Sequence, residues 1–148
     1  IDAFGAWTEK TLPLHITSLQ HLCDLLSNTK IRLLVVGGAG SLYIDPAHTV
    51  QVMDLDNFPE AFKPVAFYTG EALKMLRERN DVVWTYLSPA ADFQADGART
   101  GNILLGGEEY FVNEKGVSAI SYADYAIAMI DEIEKADHIQ KRFSVIGA

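Results

Sequence analysis

Three short stretches have residue types that let a backbone, rather than a reactive side chain, do the binding. Gly37-Gly38-Ala39-Gly40-Ser41 directly follows an apolar run. With no Cβ at three of its positions, the main chain there can lie close against a flat ligand. The same residues would equally let a chain leave a buried strand, and their types alone do not separate the two uses. Ser88-Pro89-Ala90-Ala91-Asp92-Phe93 follows a second apolar run. Pro89 fixes the local turn, and Phe93 could wall a planar ring or fill a core. The third stretch is Ile1-Asp2-Ala3-Phe4-Gly5, which reads as the tail of a buried strand entering a loop. Because the chain opens at Ile1 without a Met, a preceding N-terminal segment is expected. Without one, Phe4 and Gly5 would simply belong to a frayed end.

Acid–base and metal chemistry find little material. The residue four places after each tyrosine (43, 68, 86, 110, 122 and 125) is Ala47, Ala72, Ala90, Glu114, Ala126 and Met129. No lysine is therefore spaced to lower a tyrosine pKa for general-acid work. His15, His21, His48 and His138 form no H-x-x-x-H or H-E-x-x-H set, and one cysteine cannot build a structural zinc site, so no metal is expected. Cys23 reads as inert core, as does Trp84. Asp124 reads as a helix-start residue, and Asp131, Glu132 and Glu134 as a solvated helix face.

Composition narrows the function classes. The 148 residues fit one domain, and 49% hydrophobic with 22% charged residues suffices for a core. A net charge of −8, with Lys141-Arg142 the only adjacent basic pair, argues against nucleic acid as a partner. No apolar run approaches the ~20 residues of a membrane helix. No basic region followed by an apolar stretch suggests secretion. No membrane partner and a cytoplasmic location are therefore expected.

The elements that must position the three stretches follow from periodicity. Residues 11–28 predict a helix with Leu14, Ser18, Leu22, Leu25 and Leu26 near one face. Ile31–Val36 predicts a strand apolar on both faces, as in a parallel sheet covered by helices. Residues 41–59 read as loop. Residues 60–79 predict a helix with Phe62, Val65, Ala66, Thr69, Ala72, Leu73 and Leu76 in one stripe and Pro64 in the first turn. Asp81–Leu87 predicts the next strand. Residues 92–117 suggest an irregular hairpin with strands near 103–105 and 110–112, and Tyr110 and Phe111 belong to a candidate substrate-side lid. Ser121 with Asp124 forms a capping-box pattern opening a helix whose stripe is Ala126, Ile127, Ile130 and Ile133. Arg142–Ile146 predicts a last strand. Strands alternating with helices imply an α/β fold, a three-layer and mostly parallel sheet joined by right-handed crossovers. In such sheets ligands sit beyond the carboxyl ends of the strands, which is where all three stretches fall.

The motifs Val35-Val36-Gly37-Gly38-Ala39-Gly40-Ser41-Leu42, Trp84-Thr85-x-Leu87-Ser88-Pro89-Ala90-Ala91-x-Phe93, Gly97-x-Arg99-Thr100-Gly101, Ile120-Ser121-Tyr122-Ala123-Asp124-Tyr125-Ala126 and His138-x-x-x-Arg142-Phe143 together span nearly the whole chain. In order and spacing the set resembles the NADH-flavin reductase family. That family belongs to the NAD(P)-binding atypical short-chain dehydrogenases and is related to biliverdin reductase B and the NmrA-like proteins. The resemblance implies a Rossmann-type sheet, with residues 1–148 as a single domain forming the C-terminal two-thirds of an NAD(P)-binding domain. The family's Gly-rich first βαβ unit, which anchors a pyrophosphate on a helix N-terminus, has no counterpart here, since Gly37-Gly38-Ala39-Gly40 is not G-x-G-x-x-G. NAD(P)H binding by these residues alone is then expected to be weak or absent.

By the same resemblance, Gly37, Gly38, Ala39 and Gly40 would face the nicotinamide. Ser88, Pro89 and Ala90 would meet its carboxamide beside Phe93, and Phe4 and Gly5 would lie against the adenine side and ribose. Ser41 would be the catalytic residue, orienting a substrate carbonyl. The expected activity is an NAD(P)H-dependent reductase passing hydride to FMN, riboflavin or another small planar acceptor, a reaction in which the protein mainly positions two rings. Two rivals stand beside it: an NAD(P)-binding redox-sensing module without turnover, and an inactive fragment. If the first strands of such a sheet are missing, the strand at 31–36 has an unpaired edge, and a homo-oligomer formed through that edge is expected.

Overall fold

The computed structural model describes all 148 residues. Helix α1 (Leu14–Leu26) precedes strand β1 (Arg32–Val36), and helix α2 (Lys63–Arg77) precedes β2 (Val83–Ser88). Short strands β3 (Asp92–Gln94), β4 (Ile103–Gly106) and β5 (Ala119–Ser121) follow, then helix α3 (Tyr122–Lys135) and strand β6 (Lys141–Gly147). The main sheet has the order β1-β2-β6-β4. The first two pairings are parallel and β4 joins β6 antiparallel. A separate two-stranded parallel sheet pairs β3 with β5.

Two apolar clusters build the three layers. Because side chains alternate along a strand, Leu33, Val35, Trp84 and Tyr86 face α1 and α2, where they meet Leu19, Cys23, Ala72, Leu73 and Leu76. Leu34, Leu87, Phe143 and Val145 face α3 and meet Tyr125, Ala128 and Met129. This is the three-layer, mostly parallel Rossmann-type arrangement. No helix is long and apolar enough to cross a membrane.

The helix faces differ from the periodicity reading. In α1 the buried residues are Leu19 and Cys23, with Ile16, Leu22 and Leu26 packed beside them, while Leu14 and Leu25 are exposed. In α2 the stripe holds from Ala66 to Leu76, but Phe62 lies in a preceding 3-10 turn (Glu60–Phe62) and is exposed. In α3 the predicted stripe is the outer one: Ile130 and Ile133 are exposed, and Asp124, Tyr125, Ala128, Met129 and Glu132 are buried. The cause is polar. Asp124 and Glu132 have fixed hydrogen-bond partners inside the fold, and these rotate the helix about its axis.

Two further expectations are corrected. Residues 110–112 form no strand with 103–105; β4 instead takes β6 as its partner. The edge of β1 is also not bare. Asp2 lies beside it in a parallel bridge, donating its amide to Leu34 O at 2.8 Å and accepting from Val36 N at 2.9 Å. Ile1, read as strand, is largely exposed.

Candidate functional site

The three small-residue stretches leave neighbouring strand ends at one rim. Asp2 pairs with Val35, and Val36 with Leu87 in the β1–β2 register. The Gly37 amide then donates to Leu87 O at 2.8 Å, which joins the first residue past β1 to the last turn of β2. Phe4 and Gly5, Gly37–Ser41 and Ser88–Phe93 therefore all start at the carboxyl end of the parallel sheet, as sequence reasoning placed them.

A hydroxyl reaches this rim from each face of the sheet. On the α3 side, Tyr125 donates to Leu87 O at 2.7 Å. Burial pushes that phenol well above the ordinary tyrosine range. On the α2 side, Tyr86 accepts from the Gly38 amide at 3.2 Å and donates to Thr69 O at 3.3 Å. Burial pushes its pKa up to about 12. Both groups stay neutral near pH 7 and clamp main chain, so neither supplies a proton.

The glycines have a packing reason. A Cβ on Gly37 would overlap the Tyr86 ring, and one on Gly40 would come within 2.6 Å of Ala66 Cβ. The turn is thus seated on β2 and α2, and Gly37, Gly38 and Ala39 remain half-buried with the rest of their surface at the rim. Ser88, Pro89 and Ala90 are buried beneath it, and the Ser88 hydroxyl has no hydrogen-bond partner. Phe93 is half-buried in an aromatic group with Tyr122 and Tyr125, at centroid distances of 4.2 and 4.8 Å. Phe4 sits edge-on to His15 at 5.4 Å. Behind these residues, a space of about 20 Å³ between Asp2, Phe4, Val36, Thr69 and Tyr86 would take a water but no ring.

Ser41 is 4% exposed and engages Arg142, whose Nη1 donates to Ser41 O at 2.8 Å and to Ser41 Oγ at 2.9 Å. In the sequence Arg142 stands out only as part of the His138-x-x-x-Arg142-Phe143 motif. A cation inside an otherwise apolar strand run was the signal for it. Its Nε donates to Glu108 Oε2 at 2.8 Å, and Arg77 Nη2 reaches the same oxygen at 2.6 Å. Tyr43 lies under the Arg142 guanidinium at 5.6 Å and stacks on His48, which meets Glu109 at 2.6 Å. The Tyr110 amide is tied to Tyr43 O at 2.7 Å, so the segment read as a lid is hydrogen-bonded to the loop beside Ser41.

Glu132, expected on a solvated face, and Asp124, expected only to start a helix, are both buried and structural. Glu132 is buried, holding His138 Nδ1 at 2.7 Å and Arg32 at 3.4 Å. Asp124 accepts from the Thr100 hydroxyl at 2.7 Å and from the Gly101 amide at 2.9 Å, and so pins the loop before β4. It leaves unmade the return arm of the capping box, although Ser121 does accept its amide at 3.0 Å.

The Gly37–Ala39 backbone is half-buried at the rim and the Ser88 hydroxyl is sealed beneath it, so a ligand there meets main-chain groups. They do not suit a pyrophosphate, because the Gly37–Gly40 turn packs against the N-terminal half of α2 instead of opening a helix toward a ligand.

No family model matches the chain. Across 99% of its length it is 46% identical to the uncharacterized protein YwnB of Bacillus subtilis (strain 168), of which it covers 69%. A crystal structure from Streptococcus pneumoniae, described as a putative NADH-flavin reductase, superposes with a TM-score of 0.96 at 52% identity, over 99% of this chain and 70% of that one. The chain belongs to the NADH-flavin reductase family. A crystal structure from Burkholderia pseudomallei, described as a putative exported protein, matches at 35% identity and a TM-score of 0.85, with 97% of this chain and 68% of that one covered. A Rossmann-fold NAD(P)-binding protein from Shigella flexneri, 17% identical with a TM-score of 0.58, shares the fold. Of the Arg142–Glu108–Arg77 group, only Arg142 falls within the motifs that carry the family resemblance.

Proposed function

We propose that the protein is an NAD(P)H-dependent reductase that passes a hydride to FMN, riboflavin or another small planar acceptor. In this reading residues 1–148 are the C-terminal two-thirds of the dinucleotide-binding domain, and a pyrophosphate-binding turn outside them completes the cofactor site. The observation that carries the reading is the Gly37–Leu87 junction, which brings the two small-residue turns side by side at the carboxyl rim of the sheet.

Gly37, Gly38, Ala39 and Gly40 form the floor for the head group, with Ser88, Pro89, Ala90 and Phe93 as the adjoining wall and Phe4 and Gly5 on the far side. When bound, the dihydronicotinamide supplies the hydride and leaves as the oxidised cofactor. The isoalloxazine that receives it takes its proton from water, which suits a rim whose two tyrosine hydroxyls, Tyr86 and Tyr125, are held by main chain. Ser41, fixed by Arg142, orients the polar edge of the acceptor.

Steady-state oxidation of NADH and NADPH with added FMN or riboflavin tests this reading. Turnover dependent on the flavin is expected, and Ala39→Trp, which fills the floor, should abolish it. Cofactor binding without turnover would favour the second reading, an NAD(P)-binding regulatory module. The observation on that side is that Tyr86 and Tyr125 offer no free proton.

A further inference from the structure

The structure assigns to the cavity beside Ser41 a binding site for a small oxyanion, a phosphate or a phosphate group. The cavity measures about 140 Å³ and lies between α2, the loop after Ser41 and the start of β6. That is room for a few heavy atoms; three-ring ligands occupy pockets of about 300 Å³ or more. The assignment stands apart from the reductase reading.

The first argument is charge. Arg142 lines the cavity with its side chain 1% exposed, and Arg77 lines it at 38%. Both guanidiniums lean on one oxygen, Oε2 of Glu108. Two cations on one carboxylate leave a unit of positive charge in excess beside the buried Arg142, with Arg77 partly open to solvent, whereas buried charges are ordinarily paired. Lys74 and Glu71 also line the cavity, 3.8 Å apart, and offset each other, so the excess is that of the two arginines over Glu108. This excess sits in a chain whose net charge is −8.

The second argument is hydrogen-bond supply. Ser41 Oγ accepts from Arg142, so its own proton points away from that bond and has no acceptor in the protein. The amide of Ser41 likewise donates to no protein acceptor, although Ser41 is buried and lines the cavity. Buried amides are almost always paired. Donors without acceptors, at the wall of a cation-rich cavity, describe the complement of an oxyanion. Phosphate could arrive free, or as the terminal group of an acceptor whose rings lie at the adjoining rim.

The test is titration of the protein with inorganic phosphate at constant ionic strength, with chloride as the balancing salt, read from the Nε–H resonances of Arg142 and Arg77. Saturable shifts of both are expected. Arg77→Met, a half-exposed and foldable change, should weaken phosphate by about tenfold or more, the worth of one charge-assisted hydrogen bond. Arg142→Met should also weaken it but unfolds more easily, so Arg77→Met decides. Parallel titrations with FMN and riboflavin identify the source. Phosphate that competes with FMN but not with riboflavin belongs to the acceptor; phosphate that competes with neither is bound free. No saturable response to phosphate, or equal affinity in Arg77→Met, would overturn the assignment.

Discussion

The Gly37 amide and the Tyr125 hydroxyl donate to the same atom, the carbonyl oxygen of Leu87, at 2.8 and 2.7 Å. One carbonyl therefore holds the end of β1, the end of β2 and the first turn of α3 in fixed relation. Removing the hydroxyl with Tyr125→Phe leaves the Gly37 bond in place and should cost about 1 kcal/mol in denaturant unfolding. A loss of several kcal/mol would mean that the junction depends on the phenol more than this geometry indicates.

Gly37→Ala tests whether the glycine serves packing. Its new methyl would meet the Tyr86 ring on the sheet side. Overpacking of this kind costs about 1–3 kcal/mol. The double change Gly37→Ala with Tyr86→Ala should recover part of that loss relative to Tyr86→Ala alone. If Gly37→Ala is as stable as the parent, space is not what the glycine provides.

The phenols give a spectroscopic prediction. The chain has six tyrosines, and burial pushes Tyr86 to about 12 and Tyr125 well above the ordinary range. Ultraviolet titration from pH 8 upward should show two of the six failing to ionise with the rest and appearing only with unfolding. Their charged forms are disfavoured in the folded state, so they resist ionisation until alkali unfolds the chain. Six phenolates forming together near pH 10 in folded protein would contradict the burial of both hydroxyls.

Asp124 gives the acid-side prediction. Burial alone would raise its pKa, but donation from Gly101, Thr100 and Ser121 outweighs that and holds it below 3.8. A folded pKa below the unfolded one contributes stability above the unfolded value, and that contribution fades as pH falls through 3.8 toward the folded pKa. Asp124→Asn should therefore narrow its stability deficit against the parent as pH drops from 5 to 3. A deficit constant over that interval would remove the carboxylate's charge from the explanation.

The β1 edge yields a prediction on association. Asp2→Pro deletes the amide that bonds Leu34 O and opens the strand at that point. Light scattering should then report more self-association than for the parent at equal concentration. Unchanged scattering would show that Asp2 is not what guards the edge.

The strands were legible because Ile31–Val36 and Asp81–Leu87 are apolar on both faces, a pattern few other settings produce. The rim positions followed from the parallel order. The faces of α1 and α3 were not legible, since both helices carry more apolar residues than they bury. What orients α3 is Asp124 and Glu132, and their partners Thr100, Gly101, Arg32 and His138 lie at sequence distances that no periodicity reveals. Arg142 was hidden for a similar reason. Its role depends on Glu108 and Arg77, which only the fold brings together.

The central claim is that the half-buried Gly37–Ala39 surface and the turn after Ser88 seat a nicotinamide head group. Titrating reduced nicotinamide mononucleotide, which needs no pyrophosphate turn, into isotopically labelled protein tests it most directly. The account predicts saturable amide shifts confined to Gly37–Ser41 and Ala90–Phe93. Shifts clustered elsewhere, or none at saturating ligand, would contradict it.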